Sequence, residues 1–437
     1  MKINLSLKSL AAFCAAACLV SPVFADEGPV PKGVPRLDHV FVIMMENHGY
    51  NQIVGNPDAP FVNEYIKRVN VGRDYFAVAH PSLTNYLETV GGSNFGVLND
   101  NSPAWHSGCA SNLATGVTSF DNSTPPNDAD ICPIWGTGTD AATPAVDYSN
   151  ETSGPPGDFN IDGTLAIPVS TTTTGKTIAD QLVAAGKSWK SYQESLPPSG
   201  ADGINNSDGF YTDHTDFSSI LPGTTGSDVV KLYAVKHNPF VYFQSVQEGK
   251  PGSGIGLDRV VGFGSPHGLY DDLQSGHVPN FSFIAPNQCN DQHGRGSQDS
   301  VTGRSFGAGD AGPGCISDPN DNGTQTGLNP ALIYQGDLTL RTLINAIHSS
   351  PVWQDRDSLS AIVIVWDEND YSTGIPNQVL LTVDTNFGEH GVNSKRFYTH
   401  FSLLKSIEAG FRLPCLNHAC DANTNVMSEL FAGRDRD

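Results

Sequence analysis

The sequence predicts an α/β domain: a central, mostly parallel sheet flanked by helices and carrying long loop insertions. Three observations predict it. Two near-continuous apolar runs, 39–45 and 360–366, have the length and composition of short buried strands. Both stop abruptly at polar groups, Glu46-Asn47 after the first and Asp367-Glu368 after the second, and open α/β sheets place ligand sites at the C-terminal ends of their strands. Between them, segments of helical period alternate with further short apolar runs, the order that builds βαβ units.

Residues 1–25 read as an export signal peptide rather than as part of the fold. Lys2 and Lys8 make a basic start, 10–20 an apolar stretch, and Val23-Phe24-Ala25 a small-x-Ala cleavage site before Asp26. The apolar stretch is shorter than the ~20 residues a membrane span needs, and no later segment supplies an integral membrane segment. The expected location is periplasmic or extracellular. The 437 residues include 24 basic and 46 acidic ones, a formal net charge of -22. Such a surface repels phosphate backbones and anionic headgroups, which argues against a nucleic-acid partner. An anionic substrate then needs a metal or a basic cluster to compensate its charge locally. Oligomeric state is not legible in the composition.

Cys14 and Cys18 lie in the leader. The remaining cysteines are even in number, as disulfides in an exported chain require, and proximity pairs Cys109 with Cys132, Cys289 with Cys315 and Cys415 with Cys420. None shows the short paired spacing of a metal-binding cysteine motif.

In chain order, 26–37 is a Pro- and Gly-rich extended arm, 39–45 the first strand, 51–63 a loop or short helix, and 75–78 a second short strand. His80-Pro81-Ser82 then opens a helix. Pro81 suits a first turn, where its missing N–H has no intrahelical partner, and Leu83, Tyr86, Leu87 and Val90 recur at helical spacing before Gly91-Gly92. Ser82 is thereby placed at a helix N-terminus, where free amides and the dipole favour negative charge. Residues 177–186 form a helix with a glycine stop and 189–193 a strand. A buried strand is expected at 240–243, a helix at 269–275, a strand at 280–285, an amphipathic helix at 336–349, strands at 360–366 and 378–384, and a closing helix at 399–409. Polar stretches around 94–174, 200–218 and 294–329 read as insertions in a single domain, 26–437. Within the last, Asp318, Asn320, Asn322 and Gly323 match the first half of an EF-hand calcium loop, but Asn329 stands where that loop needs glutamate. An Asn/Gly turn is the better reading there.

Glu46, Asn47, Asp367 and Glu368 offer three carboxylates and an amide from two strand ends, enough oxygen for one hard divalent ion or one site of a two-metal clamp. Taken singly, each pair also reads as a strand-end cap. Asp291-Gln292-His293, just past a third strand, adds a carboxylate and an imidazole. These suit a second, more zinc-like or iron-like metal, a general acid toward a leaving-group oxygen, or simply a stabilised loop beside Cys289. Ser82 has no GxSxG context; it is either an N-cap or a serine activated by a metal, with helix amides cradling an oxyanion. His80, His106, His237, His267, His390 and His400 are not assigned by spacing. His80, His106 and His267 are carried as candidates for substrate binding, and His390 and His400, with Asp291, as candidates for supporting the site or holding a second metal.

Together these motifs resemble the secreted phosphoesterase family that contains bacterial and fungal acid phosphatases and the non-specific phospholipases C, a branch of the alkaline phosphatase-like superfamily. The resemblance runs in blocks: 40–50, 79–92, 236–243, 284–293, 359–370 and 397–408. It implies an alkaline phosphatase-like fold, a metal site holding Glu46, Asn47, Ser82, Asp367 and Glu368, and Ser82 as nucleophile, with Thr84 as an alternative. Asn85 is then expected to hydrogen-bond the transferring phosphoryl oxygen, His293 to act as catalytic acid, and His400 to support the site from behind. The family's usual Ser-His-Pro-Ser-Leu-Pro-Asn-Tyr reads here with Ala79 and Thr84 as departures.

The implied activity is that of a metal-dependent acid phosphatase, cleaving small-molecule phosphate monoesters through a phosphoseryl intermediate with Ca, Mg, Zn or Fe. The phospholipase members follow Glu-Asn with Arg-Ser-Phe-Asp; His48-Gly49-Tyr50 departs from that. Two alternatives stand beside it: a phospholipase C-type phosphodiesterase, and a non-catalytic, calcium-stabilised secreted binding protein.

Overall fold

The computed structural model describes residues 27–97, 99–110, 113, 130–138, 140, 173–197, 200–203, 206–207, 210–211, 232–294, 315, 330–370 and 377–431. The leader, most of the insertions and the EF-hand-like stretch lie outside the described residues.

Eight strands make the central sheet: β1 His39–Met45, β2 Asn70–Gly72, β3 Trp189–Gln193, β4 Val260–Gly262, β5 Phe281–Ala285, β6 Ser360–Trp366, β7 Leu381–Thr385 and β8 Asn393–Ser394. Across the sheet they lie in the order β8-β2-β7-β6-β1-β5-β3-β4. The run from β6 to β4 is parallel throughout, and only β7 is antiparallel to its neighbours. The fold is therefore a mixed, mostly parallel sheet. Its central strands are apolar on both faces because both faces are covered: every residue of β6, and of β1 from Val40 onward, is buried.

The main helices flanking the sheet are α1 Ser82–Gly91, α2 Ile178–Ala184, α3 Leu269–Ser275, α4 Pro330–His348 and α5 His400–Phe411. All of α1 is buried, and it packs against α5. Pro81 stands just before the first turn of α1, not inside it. The helix stops at Gly92, whose φ of 72° favours glycine; a Cβ there would stand 2.6 Å from the Leu416 carbonyl oxygen.

Register is what builds the site. β1 and β6 pair in step from His39 with Ser360 to Met45 with Trp366. The next residues, Glu46 and Asp367, thus leave the sheet side by side, and the Asp367 N–H donates to the Met45 carbonyl at 2.9 Å. On the other flank the Glu46 N–H donates to the Asp291 carbonyl at 2.9 Å, which ties in the turn that follows β5.

Several local expectations need correction. Residues 240–243 are no strand: Val235–His237 and Pro239–Tyr242 are consecutive 3-10 turns. Pro239 fixes φ and removes an N–H, and a short run of buried aromatics does not distinguish a tight helical turn from a strand. Of 75–78 only Tyr75–Phe76 is extended, and it pairs with Tyr398–Thr399 in a ladder apart from the main sheet. The helix expected at 336–349 begins six residues earlier, at Pro330. All three disulfides pair as proximity suggested: Cys109–Cys132, Cys289–Cys315 and Cys415–Cys420. Among the described residues no helix is long and apolar enough to cross a membrane.

Candidate active site

The ends of β1 and β6, the turn after β5, the start of α1 and the 3-10 turn at Val235–His237 converge on the Ser82 hydroxyl. Ser82 Oγ lies within donating reach of Glu46 Oε2 at 3.2 Å and Glu368 Oε1 at 3.3 Å, and accepts from Lys236 Nζ at 3.1 Å. The Asn47 N–H donates to Asp367 Oδ1 at 3.1 Å, a contact made by the left-handed turn at Asn47, whose φ is 61°. Glu46, Asn47, Ser82, Asp367 and Glu368 are all buried in one place.

Around them sits a layer of imidazoles. His237 bridges two carboxylates, with Nε2 3.0 Å from Glu46 Oε1 and Nδ1 3.1 Å from Asp291 Oδ2, and Tyr86 stacks flat upon it at 5.2 Å. His293 donates from Nδ1 to the Gly294 carbonyl at 2.6 Å and accepts from Lys236 Nζ at Nε2, at 3.1 Å. His80 braces Glu368, Nδ1 to Oε2 2.8 Å, and reaches Asn369 Oδ1 at 3.0 Å. His400 lies behind Asp367: its Nε2 donates to the Asp367 carbonyl at 2.6 Å and its Nδ1 accepts from the Tyr75 hydroxyl at 2.8 Å.

Burial opposes charge at Glu46, His237, Asp367, Glu368 and His400. It drives the Glu46 carboxyl up, but His237, then Lys236 and His293, outweigh it and hold Glu46 well below the usual carboxylate range. Burial also depresses His237, and Glu46 and Asp291 reverse this, raising it to about 9. Asp367 is pushed far up by burial and by the charges of Glu46 and Glu368. Burial raises Glu368 too, against the pull of His80. His400 falls to about 4 through burial and is a neutral donor.

This crowding of acids invites a cation, and the donor atoms fit one. Glu46, His237 and His293 each turn a ligand atom into a common space, all within 4.8 Å of one another. Asn47 Oδ1 and Asp367 Oδ2, both buried, have no hydrogen-bond partner among the described residues. Unpaired buried oxygens are costly unless something outside the chain satisfies them. The Glu46–His237–His293 cluster is thus able to coordinate a divalent metal; of the expected ligands it contains Glu46, and its other two donors are imidazoles.

The structure places other expected residues differently. Asn85 has its amide fully committed: Oδ1 accepts from the N–H groups of Val78 and Ala79, and Nδ2 donates to the Ala79 carbonyl and to Glu368 Oε2. Its Nδ2 thereby braces Glu368 beside Ser82. The Thr84 hydroxyl donates to the Val97 carbonyl at 3.2 Å, away from the acids. His106 is exposed, bridging Asp202 at 3.0 Å and Glu248 at 2.9 Å. His267 lines a separate cavity of about 390 Å³ with Lys190 and Arg259. His390 stands 3.8 Å from Asp384, which pairs with Ile362 near the start of β6, the end of the sheet away from Glu46. These three histidines find their partners outside the Ser82 cluster. Conversely, Lys236, His237 and Asp100 join the site without a motif in the sequence that assigns them. The adjacency of two basic side chains in the 236–243 block was the available sign for Lys236 and His237; Asp100, in a polar loop, gave none.

A profile described as the Phosphoesterase family matches residues 56–305. The chain is similar to an acid phosphatase of Aspergillus fumigatus, 22% identical over 430 residues covering 98% of this chain and 65% of that protein. It is also similar to a phosphate-repressible acid phosphatase of Penicillium chrysogenum, 25% identical over 354 residues, 80% of this chain and 54% of that one. The chain thus spans between 54% and 65% of the length of these relatives. A solved protein of the alkaline phosphatase superfamily from Vibrio parahaemolyticus aligns over 92% of this chain and 74% of its own, with a TM-score of 0.42 at 12% identity.

Proposed function

We propose that this chain, which belongs to the phosphoesterase family, is an exported metal-dependent phosphomonoesterase using Ser82 as its nucleophile. The observation that carries the reading is the Ser82 hydroxyl, held at the first residue of α1 between the carboxylates of Glu46 and Glu368 and the ammonium of Lys236.

Glu46, His237 and His293, with Asn47 Oδ1 and Asp367 Oδ2, are the residues that would hold the divalent ion, and two imidazoles in the set favour a zinc- or iron-like ion over calcium. When bound, the ion supplies Lewis-acid stabilisation of developing negative charge and makes a nearby hydroxyl easier to ionise. The chain's own residues do the rest. Ser82 gives up its proton toward Glu368, whose carboxyl is raised and so accepts it readily. Its Oγ attacks phosphorus in line, the bond from phosphorus to the leaving oxygen breaks, and the phosphoryl group resides on Ser82. The departing alkoxide takes a proton from solvent water. Water then attacks phosphorus and yields its proton to the hydroxide left by that step, the bond to Ser82 Oγ breaks as Glu368 returns the proton to Oγ, and inorganic phosphate is released.

Support for an exported chain comes from the three disulfides, which persist in oxidising compartments. The test is turnover of p-nitrophenyl phosphate against bis-p-nitrophenyl phosphate and phosphatidylcholine. The reading expects the monoester to be preferred; preference for either diester, or turnover of none, overturns it.

A further inference from the structure

Asp100 stands inside the Ser82 site without a part in the steps above. Its Oδ1 accepts the Leu83 N–H at 3.0 Å, and its Oδ2 lies 3.1 Å from Lys236 Nζ. Lys236 is 1% exposed, and the same ammonium lies 3.1 Å from Ser82 Oγ. Two donors, an amide in the first turn of α1 and a buried ammonium, therefore meet beside the nucleophile, and both are held by one carboxylate.

That place has a chemical meaning. A phosphoryl group attacked by Ser82 presents its anionic oxygens next to Oγ, where hydrogen-bond donors at a helix N-terminus and a cation stabilise them. A carboxylate resembles part of such a group: two anionic oxygens on one centre, each accepting a charge-assisted hydrogen bond. We infer that Lys236 Nζ and the Leu83 amide form the phosphoryl-oxygen subsite, and that Asp100 occupies it with its own carboxylate, which the substrate must displace.

Asp100 is carried on a segment fixed at several points. The Tyr242 hydroxyl donates to the Asn101 carbonyl at 2.9 Å, the Ala104 N–H donates to the Ile131 carbonyl at 2.8 Å, and Cys109 is bonded to Cys132. The Asp100 side chain, not the segment, is what gives way. Displacement sets a charge threshold, because the incoming group must replace a full carboxylate charge against Lys236. A phosphate monoester carries up to two negative charges and a diester one, so Asp100 selects for monoesters. This last consequence rests on the phosphomonoesterase reading; occupation of the subsite does not.

Inorganic phosphate is the probe, its binding followed by titration calorimetry on the purified wild-type protein and on Asp100→Asn, Asp100→Ala and Lys236→Met, with thermal melts confirming that each is folded. Asp100→Asn keeps an acceptor for the Leu83 amide but removes the charge. It is expected to bind phosphate at least about tenfold more tightly than wild type, Asp100→Ala to move in the same direction, and Lys236→Met to lose at least about tenfold. Unchanged or weaker binding in Asp100→Asn overturns the inference, as does absence of phosphate binding in every protein. Turnover of p-nitrophenyl phosphate in the same preparations separates the two claims: tighter phosphate binding in Asp100→Asn without wild-type turnover leaves the subsite standing and removes the enzyme assignment.

Discussion

The Ser82 hydroxyl lies 3.2 Å from Glu46 Oε2, although 36 residues separate them in the chain. β1 brings the carboxylate to the sheet edge and α1 brings the hydroxyl to the same point, so two polar groups from distant elements share one buried place. Ser82→Ala is predicted to abolish phosphatase turnover while shifting the melting temperature little, since Oγ contributes contacts only within the site. Retained turnover in that variant assigns the chemistry elsewhere.

Metal content discriminates among the ligands. His237→Ala and Glu46→Gln each remove a member of the Glu46–His237–His293 group and are predicted to lower bound divalent metal, read by elemental analysis after dialysis, to well below wild type. Asp367→Asn preserves shape but not charge and is predicted to do the same less severely. His390→Ala, at the far end of the sheet, should leave metal content untouched. Full occupancy in His237→Ala contradicts the placement of the ion.

Gly336 lies inside α4, where alanine is intrinsically favoured by roughly 1 kcal/mol. A Cβ there would collide with the Gln292 side chain at Cγ. Gln292 has little freedom to yield: its Nε2 donates to the Ile333 carbonyl at 3.0 Å and its Oε1 accepts from Trp366 Nε1 at 2.8 Å. Gly336→Ala is therefore predicted to destabilise the protein by about 1–3 kcal/mol in urea denaturation, against helix propensity, and to lower activity through the adjacent His293. A stabilised variant would show that the turn after β5 is pliable.

His418 carries a pH dependence outside the site. Its Nε2 lies 2.8 Å from Asp140 and its Nδ1 2.7 Å from Asp421. Burial depresses the imidazole, and the two carboxylates overcome this and raise it to about 9. The unfolded chain titrates at about 6.5, so the folded state binds the extra proton between those values. The stabilisation is fully present below about pH 6.5 and is lost as pH rises through about 9, by an amount on the order of 3 kcal/mol. Unfolding free energies measured across that window should fall in wild type, and the fall should shrink in His418→Gln. An identical slope in both proteins rules His418 out as its source.

The centre of the sheet was legible because β1 and β6 are buried on both faces and end abruptly in acids, so the runs 39–45 and 360–366 needed no tertiary information, whereas β2, β4 and β8, two or three residues each, leave no such run. The same abruptness located Glu46, Asn47, Asp367 and Glu368. What sequence did not show depends on contacts between distant elements. Pro239 bends an apolar run, Pro239–Tyr242, into a 3-10 turn that strand statistics miss. His237 becomes a site residue only because the turn it sits on aims it at Glu46, and Asp100 only because its loop folds back over the start of α1. His106, His267 and His390 show the converse, since a histidine's chemistry says nothing of where the chain carries it.

Phosphoryl transfer is proposed to pass through Ser82. The most direct measurement is acid quenching of the protein during turnover of p-nitrophenyl phosphate, followed by peptide mass spectrometry. A phosphoryl group is expected on Ser82 in wild type and none in Ser82→Ala. A turning-over wild-type enzyme whose label sits on another residue, or a Ser82→Ala protein that still turns over substrate, contradicts it.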